Sequence, residues 1–401
     1  MTRTRILLPA FALLCLFACK KEPKNTDLTK PVQVPQNEAV DQLKINQIQV
    51  VGSHNSYRLR TYKPIFDLVQ TLYDAGMISG DLSPQGWDYT HVPLPEQLGA
   101  FGMRGIELDI YEDVQGGRFA SRGGLILVSE EPASGIPELN EPGFKVLHIP
   151  DFDYNTNYYS FKSALKAVKN WSDQNPNHVP LFINIESKTE MVGDQVPFAF
   201  LQTSQPFTAG ASDALDAEIK SVFGAALEGV ITPDQIRGAY PTLRQAVLAG
   251  NWPTLGDARG KVIFVMEGGM VNQYKTGHPS LQGRAAFIYA DAADDEAAFI
   301  LLNNPVGDYA EIQQTVAAGF IVRTRADGDT EEARSGDYTN MNAAFGSGAQ
   351  IISTDYYQPD PRYKTEPQSW TDYHVAFPSG VTFRINPVTA SGQVGLGFIG
   401  E

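Results

Sequence analysis

The 401-residue sequence predicts an α/β fold: a (β/α)8 barrel of the TIM type, with some irregularity, forming a single domain. Short runs rich in Val, Ile and Phe recur along the chain without strict alternation, as in strands covered on both faces. Helical patterns lie between these runs, which is the alternation a parallel barrel requires. With 42% hydrophobic and 19% charged residues, the chain can bury a core of that size.

The N-terminus reads as a targeting segment and stands outside the fold. Arg3 and Arg5 precede an apolar stretch that ends at Leu16-Phe17-Ala18-Cys19. Residues 1–18 are therefore expected to be a bacterial lipoprotein signal peptide, and Cys19 the lipidated residue of the processed chain. Cleavage there leaves no second cysteine for an internal disulfide, so stability must come from the core. Residues 19–42, polar and proline-bearing, are expected to be a flexible tether ahead of a barrel domain at 43–401. Losing Arg3 and Arg5 takes two positive charges from a net charge of −15, making the body more acidic still. Such a chain is a poor nucleic-acid binder, and it lacks the basic surface that adheres to anionic lipid. No other apolar run approaches the roughly 20 residues of a spanning helix.

Eight strands are expected, in runs 47–53, 105–111, 144–150, 181–186, 261–267, 286–291, 319–325 and 350–357. Ser160 is placed to cap a helix that carries Phe161, Ala164, Leu165 and Val168 on one face. Ser212 is placed to cap another with Leu215, Ile219, Val222 and Phe223, and Thr330 to open a third before Glu331 and Glu332. Residues 187–260 form the largest insertion. The tail after Asp372 is expected to add a strand pair packed on the barrel.

In a barrel of this kind, functional groups gather at the C-terminal strand ends. The first run ends at His54 and Asn55. The second carries Glu107 and Asp109 on one face, because they are two residues apart. The third delivers His148, and the fourth ends in Glu186 with Lys188 just beyond. The seventh offers Arg323 and Arg325, the eighth Asp355, Tyr356 and Tyr357. One strand-end histidine is ordinarily structural. Four consecutive strands delivering His or carboxylate to one rim point to a site. Asn55, Glu107, Asp109 and Glu186 offer oxygen ligands for a hard divalent cation, Ca2+ before Mg2+. Zinc chemistry is disfavoured, with no His-Glu-x-x-His and no cysteine cluster. The two imidazoles are left for proton transfer, and with Lys188 and Arg323 nearby the set suits attack on a phosphodiester.

SHNSY, RGIELDIY, the strand-end His148 and FINIES resemble, in order, the motifs of Ca2+-dependent phosphoinositide-specific phospholipases C. IVRTRAD and GAQIISTDYY are similar to the bacterial secreted branch of that family. The resemblance runs from about Ile45 to Tyr357. It implies Ca2+-dependent cleavage of a phosphatidylinositol-type lipid to diacylglycerol and an inositol phosphate, the inositol 2-hydroxyl attacking phosphorus to give a cyclic product. It assigns Asn55, Glu107, Asp109 and Glu186 to the metal. His54 then acts at the phosphorane and His148 protonates the departing diacylglycerol oxygen. Glu107 or Glu186 takes the hydroxyl proton, while Lys188, Arg323 and Tyr356 contact the substrate. The expected partners are the lipid substrate and, through Cys19, a bacterial envelope membrane; the body is expected to be monomeric and to bind no nucleic acid. Two alternatives stay open: a glycerophosphodiester phosphodiesterase, disfavoured by the missing His-Arg-Gly opening, and a non-catalytic polyol- or glycan-binding lipoprotein. Asp327-Gly-Asp329-Thr-Glu-Glu lacks EF-hand spacing and fits a helix N-terminus better.

Overall fold

A computed structural model describes residues 38–79, 82–196, 198–377 and 381–390, with the placement of one further strand at 398–400. The expected signal peptide, Cys19 and most of the tether lie outside the described residues. The last residues of the expected tether, 38–42, belong to the folded body. Glu38–Asp41 form a short helix, and Val40 and Leu43 are buried in the main core.

The strands in chain order are β1 (Ile48–Ser53), β2 (Gly105–Tyr111), β3 (Lys145–Val146), β4 (Leu181–Ser187), β5 (Val262–Gly268), β6 (Phe287–Ile288), β7 (Phe299–Leu301), β8 (Ile321–Arg325), β9 (Ile351–Thr354), β10 (Val381–Ile385) and β11 (Phe398–Gly400). Their order around the sheet is β6-β5-β4-β2-β1-β9-β8-β7, all parallel. A parallel bridge from Tyr289 to Phe299 brings the two ends together, giving a nearly closed eight-stranded barrel with helices outside. β1 and β2 are buried along their whole length, which accounts for their continuous apolar runs.

Two strands differ from expectation. The run at 144–150 is not a barrel strand. Only Lys145–Val146 pair, antiparallel to the far end of β2, and His148 lies on the loop beyond. The barrel position is filled instead by β7, which at three residues is too short to register as an apolar period. In the tail, β10 pairs antiparallel with the first half of β1, and β11 pairs with β10. β2 reaches β1 at a single register pair, Gly52 with Gly105.

Ser160 caps helix Phe161–Gln174 through Ser163 N–H, at 3.1 Å. Ser212 does not cap. Helix Ala211–Phe223 begins one residue earlier, behind Gly210, and Ser212 is buried within it. This helix and three shorter ones occupy the 187–260 segment. Thr330 precedes helix Glu331–Ser335 as expected, although its hydroxyl donates to Gln85 O and does not cap the helix. A second apolar cluster covers the C-terminal strand ends, drawing Ile65 and Trp87 from the β1 loop, Leu125, Leu147 and Phe152 from the β2–β4 loops, and Met191 beyond β4. Among the described residues, no helix is long and apolar enough to cross a membrane.

Candidate active site

Alternate side chains of each barrel strand point inward, and along this axis they change from small or apolar to charged. The sequence Gly105-Ile-Glu107-Leu-Asp109 shows the change within one strand. Parallel register then lines up the ends: Asp109 lies opposite Glu186, and Glu186 opposite Glu267.

His54 sits just past β1, its backbone N–H donating to Thr354 O at 2.9 Å. Its Nδ1 is 2.7 Å from Asp355 Oδ1, which leaves Nε2 facing the cleft. Arg325 donates to Asp355 Oδ2 at 3.0 Å and stands 3.4 Å from His54 Nε2. Asp355 is fixed in turn by its own N–H donating to Asp327 Oδ1 at 2.8 Å. Burial and then Arg325 lower the His54 pKa to about 3 against the pull of Asp355, so the ring is neutral. His91, also buried, meets the His54 carbonyl at 2.8 Å and stacks on Tyr357, a supporting role.

His148 has the same arrangement built from different elements. Its Nδ1 is 2.7 Å from Asp153 Oδ2, and Arg58 Nε donates to the same oxygen at 2.7 Å. Thr61 Oγ1 donates to Asp153 Oδ1 at 2.6 Å, and the edge of Trp87 meets the ring. Burial lowers the His148 pKa, with Asp153 opposing. Each catalytic candidate is thus a histidine oriented by a buried aspartate that is itself held by an arginine. Orienting one ring nitrogen this way determines what the other presents to the cleft.

Glu107, Asp109 and Glu186 bring carboxylate oxygens within 4.8 Å of one another. Glu107 and Asp109 are buried, whereas Glu186 is about one-third exposed. Burial raises Glu107 well above the usual carboxylate range despite Arg323, and raises Asp109 to about 7 despite Lys188. Two buried oxygens here, Asn55 Oδ1 and Asp109 Oδ1, have no hydrogen-bond partner. Asn55 holds its place with a φ of 45° and a bond from Nδ2 to Tyr89 OH at 3.2 Å. Unpaired buried acceptors beside clustered carboxylates are the donor set of a hard divalent cation, so these residues fit Ca2+.

Three substrate-contact expectations meet different outcomes. Lys188 is at the cleft, its Nζ 3.1 Å from Asp109 Oδ2 and 3.8 Å from Glu186. It also lines a cavity of about 440 Å³. Arg323 does not face open solvent. It is 3% exposed, bonded to Glu107, and 3.3 Å from Glu267. Tyr356 is 4% exposed and packs among Tyr89, Trp370 and Tyr373, so it offers no face to a substrate ring. Sequence reading missed Arg58, Asp153 and Glu267, and left Arg325 and Asp355 without a role. Asp153, five residues after His148 in HIPDFD, was the nearest available signal.

Residues 43–387 match the family model described as phosphoinositide phospholipase C, Ca2+-dependent. The chain belongs to this family. As a member of the Ca2+-dependent phosphoinositide phospholipases C, it shares its fold with solved structures of low sequence identity. One is a calcium-dependent phosphoinositol-specific phospholipase C from a Gram-negative Pseudomonas species, in its apo form. That structure is 17% identical with a TM-score of 0.50, covering 87% of this chain and 97% of the other. Also similar is a Ca2+-dependent phosphatidylinositol-specific phospholipase C from Streptomyces antibioticus, 15% identical with a TM-score of 0.48, covering 82% of this chain and 100% of the other. A glycerophosphoryl diester phosphodiesterase from Parabacteroides distasonis is more distant: it is 10% identical over 88% of this chain and 99% of the other, with a TM-score of 0.30. No curated protein matches the chain.

Proposed function

We propose that this family member cleaves phosphatidylinositol-type lipids to diacylglycerol and an inositol cyclic phosphate, and that Ca2+ is required. The observation that carries this reading is the pair of aspartate-held histidines, His54 with Asp355 and His148 with Asp153, beside one cluster of oxygen ligands. A binding protein has no need of two imidazoles so oriented.

Asn55, Glu107, Asp109 and Glu186 would hold Ca2+, which when bound offsets phosphate charge and makes the inositol hydroxyl more acidic. The remaining steps belong to the chain. Glu107 is buried whereas Glu186 is about one-third exposed, so Glu186 is the carboxylate with access to take the hydroxyl proton. His54, neutral before substrate arrives, takes up a proton from solvent as the anionic phosphodiester enters, and its Nε2–H then donates to the phosphoryl oxygens as charge grows there. Arg325 adds positive charge beside it. Burial first, and then Lys188 and Arg58, lower the His148 pKa against Asp153, and an anionic phosphodiester in the cleft adds to the pull of Asp153 towards the imidazolium. The Nε2 proton then passes to the departing diacylglycerol oxygen. Residues 1–18 and Cys19 are read as a lipoprotein signal that places the enzyme at the bacterial cell envelope.

The test is turnover of phosphatidylinositol and of a glycerophosphodiester, each with and without a chelator. Phosphatidylinositol should be cleaved, the glycerophosphodiester left intact, and chelation should abolish the reaction. Preference for the glycerophosphodiester, or turnover indifferent to chelation, overturns the reading.

A further inference from the structure

The three clustered carboxylates already face two cations of the chain's own. Arg323 bonds Glu107, and Lys188 stands 3.1 Å from Asp109 and 3.8 Å from Glu186. Arg323 is shared with a fourth carboxylate, Glu267 on β5, at 3.3 Å. Glu267 is held independently of Arg323, because Asn184 Nδ2 donates to its Oε1 at 2.6 Å. Four carboxylates against two cations leave two negative charges when all are ionised, which one divalent ion would neutralise. That ion cannot take the Glu107 oxygen facing Arg323 while the guanidinium remains there, since like charges in a buried site repel strongly.

We infer that Arg323 and Lys188 are resident counter-ions of the carboxylate cluster, that a divalent cation enters by exchange with them, and that Glu267 receives Arg323 as it leaves Glu107. This rests on the metal reading of Glu107, Asp109 and Glu186. Arg323 has little distance to travel, being in contact with both carboxylates at once. Lys188 has space to move into, the cavity of about 440 Å³ beyond it, which is lined by Glu112, Asp113 and Thr208. The exchange also releases an ammonium at the cleft, so the loaded site presents Lys188 to an anionic substrate and the free site does not. Metal affinity is then the difference between two ionic arrangements, and each resident group acts on it with a defined sign.

Calorimetric titration of the full-length chain in detergent, with Ca2+ alone as the probe, tests the exchange. Arg323→Gln removes the competitor and should tighten Ca2+ binding by about tenfold, the scale on which one adjacent charge shifts a buried carboxylate. The same variant should melt at a lower temperature without Ca2+ and regain more on its addition. Glu267→Gln leaves Arg323 with Glu107 as its one carboxylate and should weaken binding by a similar factor. A purely structural Arg323 would not tighten the site when lost. Should Arg323→Gln fail to fold, Glu267→Gln still decides, as unchanged affinity there removes the acceptor role. Equal or weaker binding by Arg323→Gln, with the wild type binding normally, overturns the exchange and leaves the metal site standing. Absence of Ca2+ binding in both wild type and Arg323→Gln removes the metal reading itself.

Discussion

His54 and His148 are alike in their supports and differ in what lies at the free nitrogen. His54 Nε2 is close to Arg325 and is 3.8 Å from Glu107, on the side of the charged cluster. His148 has Trp87 at its edge and Arg58 behind its aspartate, under the apolar cover of the strand ends. General acid catalysis contributes about 10²–10⁴-fold, and it matters most for a poor leaving group such as an alkoxide. His148→Ala should therefore lose activity on that scale with the natural lipid and recover much of it on a substrate with an acidic phenol leaving group. His54→Ala should stay impaired on both, because its proposed role is at phosphorus. Steady-state rates on the two substrates check this. Equal losses for both variants on both substrates would show that the roles are not divided.

At the scale of the element, the joint between β1 and β2 is where the fold sets the site. A methyl group at Gly52 would lie 2.7 Å from Gly105 Cα and 2.9 Å from its carbonyl atoms, all backbone that cannot turn aside. Gly52 is therefore required by the close approach of two strands. His54 and Asn55 follow it by two and three residues, and Glu107 follows Gly105 by two. Gly52→Ala should push β1 off β2, costing about 1–3 kcal/mol from overpacking. The displaced His54 should lower kcat/KM further, since about 1 Å of misplacement can cost on the order of 10²-fold. Gly105→Ala meets its nearest atoms at 3.1 and 3.3 Å and should be milder. Denaturant midpoints and kcat/KM for the pair measure both effects, and identical behaviour of the two variants would remove the special status of Gly52.

For the whole molecule, charge and anchoring act together. A chain with a net charge of −15 is repelled by anionic lipid at low ionic strength, so it gains no general adhesion to its substrate's membrane. The proposed lipid on Cys19 would supply attachment to the cell envelope, with single substrate molecules found by contacts at the barrel mouth. Replacing Cys19 by Ser should release the protein from the envelope fraction and leave its turnover of dispersed phosphatidylinositol intact. Fractionation of cells expressing each form reads the outcome. A Cys19→Ser protein that is still membrane-bound and normally processed excludes the lipoprotein anchor.

Most of the barrel was legible in the chain because strands buried on both faces need continuous apolar runs, and seven of the expected runs coincide with barrel strands. The exceptions are short. Lys145–Val146 pairs outside the barrel because β2 runs on past the rim, and Phe299–Leu301 is below the length at which a period can be read. At the site, the sequence by itself determined that His54 and Asn55 follow one strand, that Glu107 and Asp109 share a face of the next and that Glu186 lies near the end of another, since that follows from period two and parallel direction. Only the tertiary structure decided which charge meets which. Asp153 reaches His148 through a loop bonded to Arg58, and Arg323 turns inward to Glu107 and Glu267, away from substrate. Asp153 lies only five positions from His148, but its pairing with Arg58 and the pairing of Arg323 with Glu107 and Glu267 join residues more than fifty positions apart, and no local pattern in the chain encodes them.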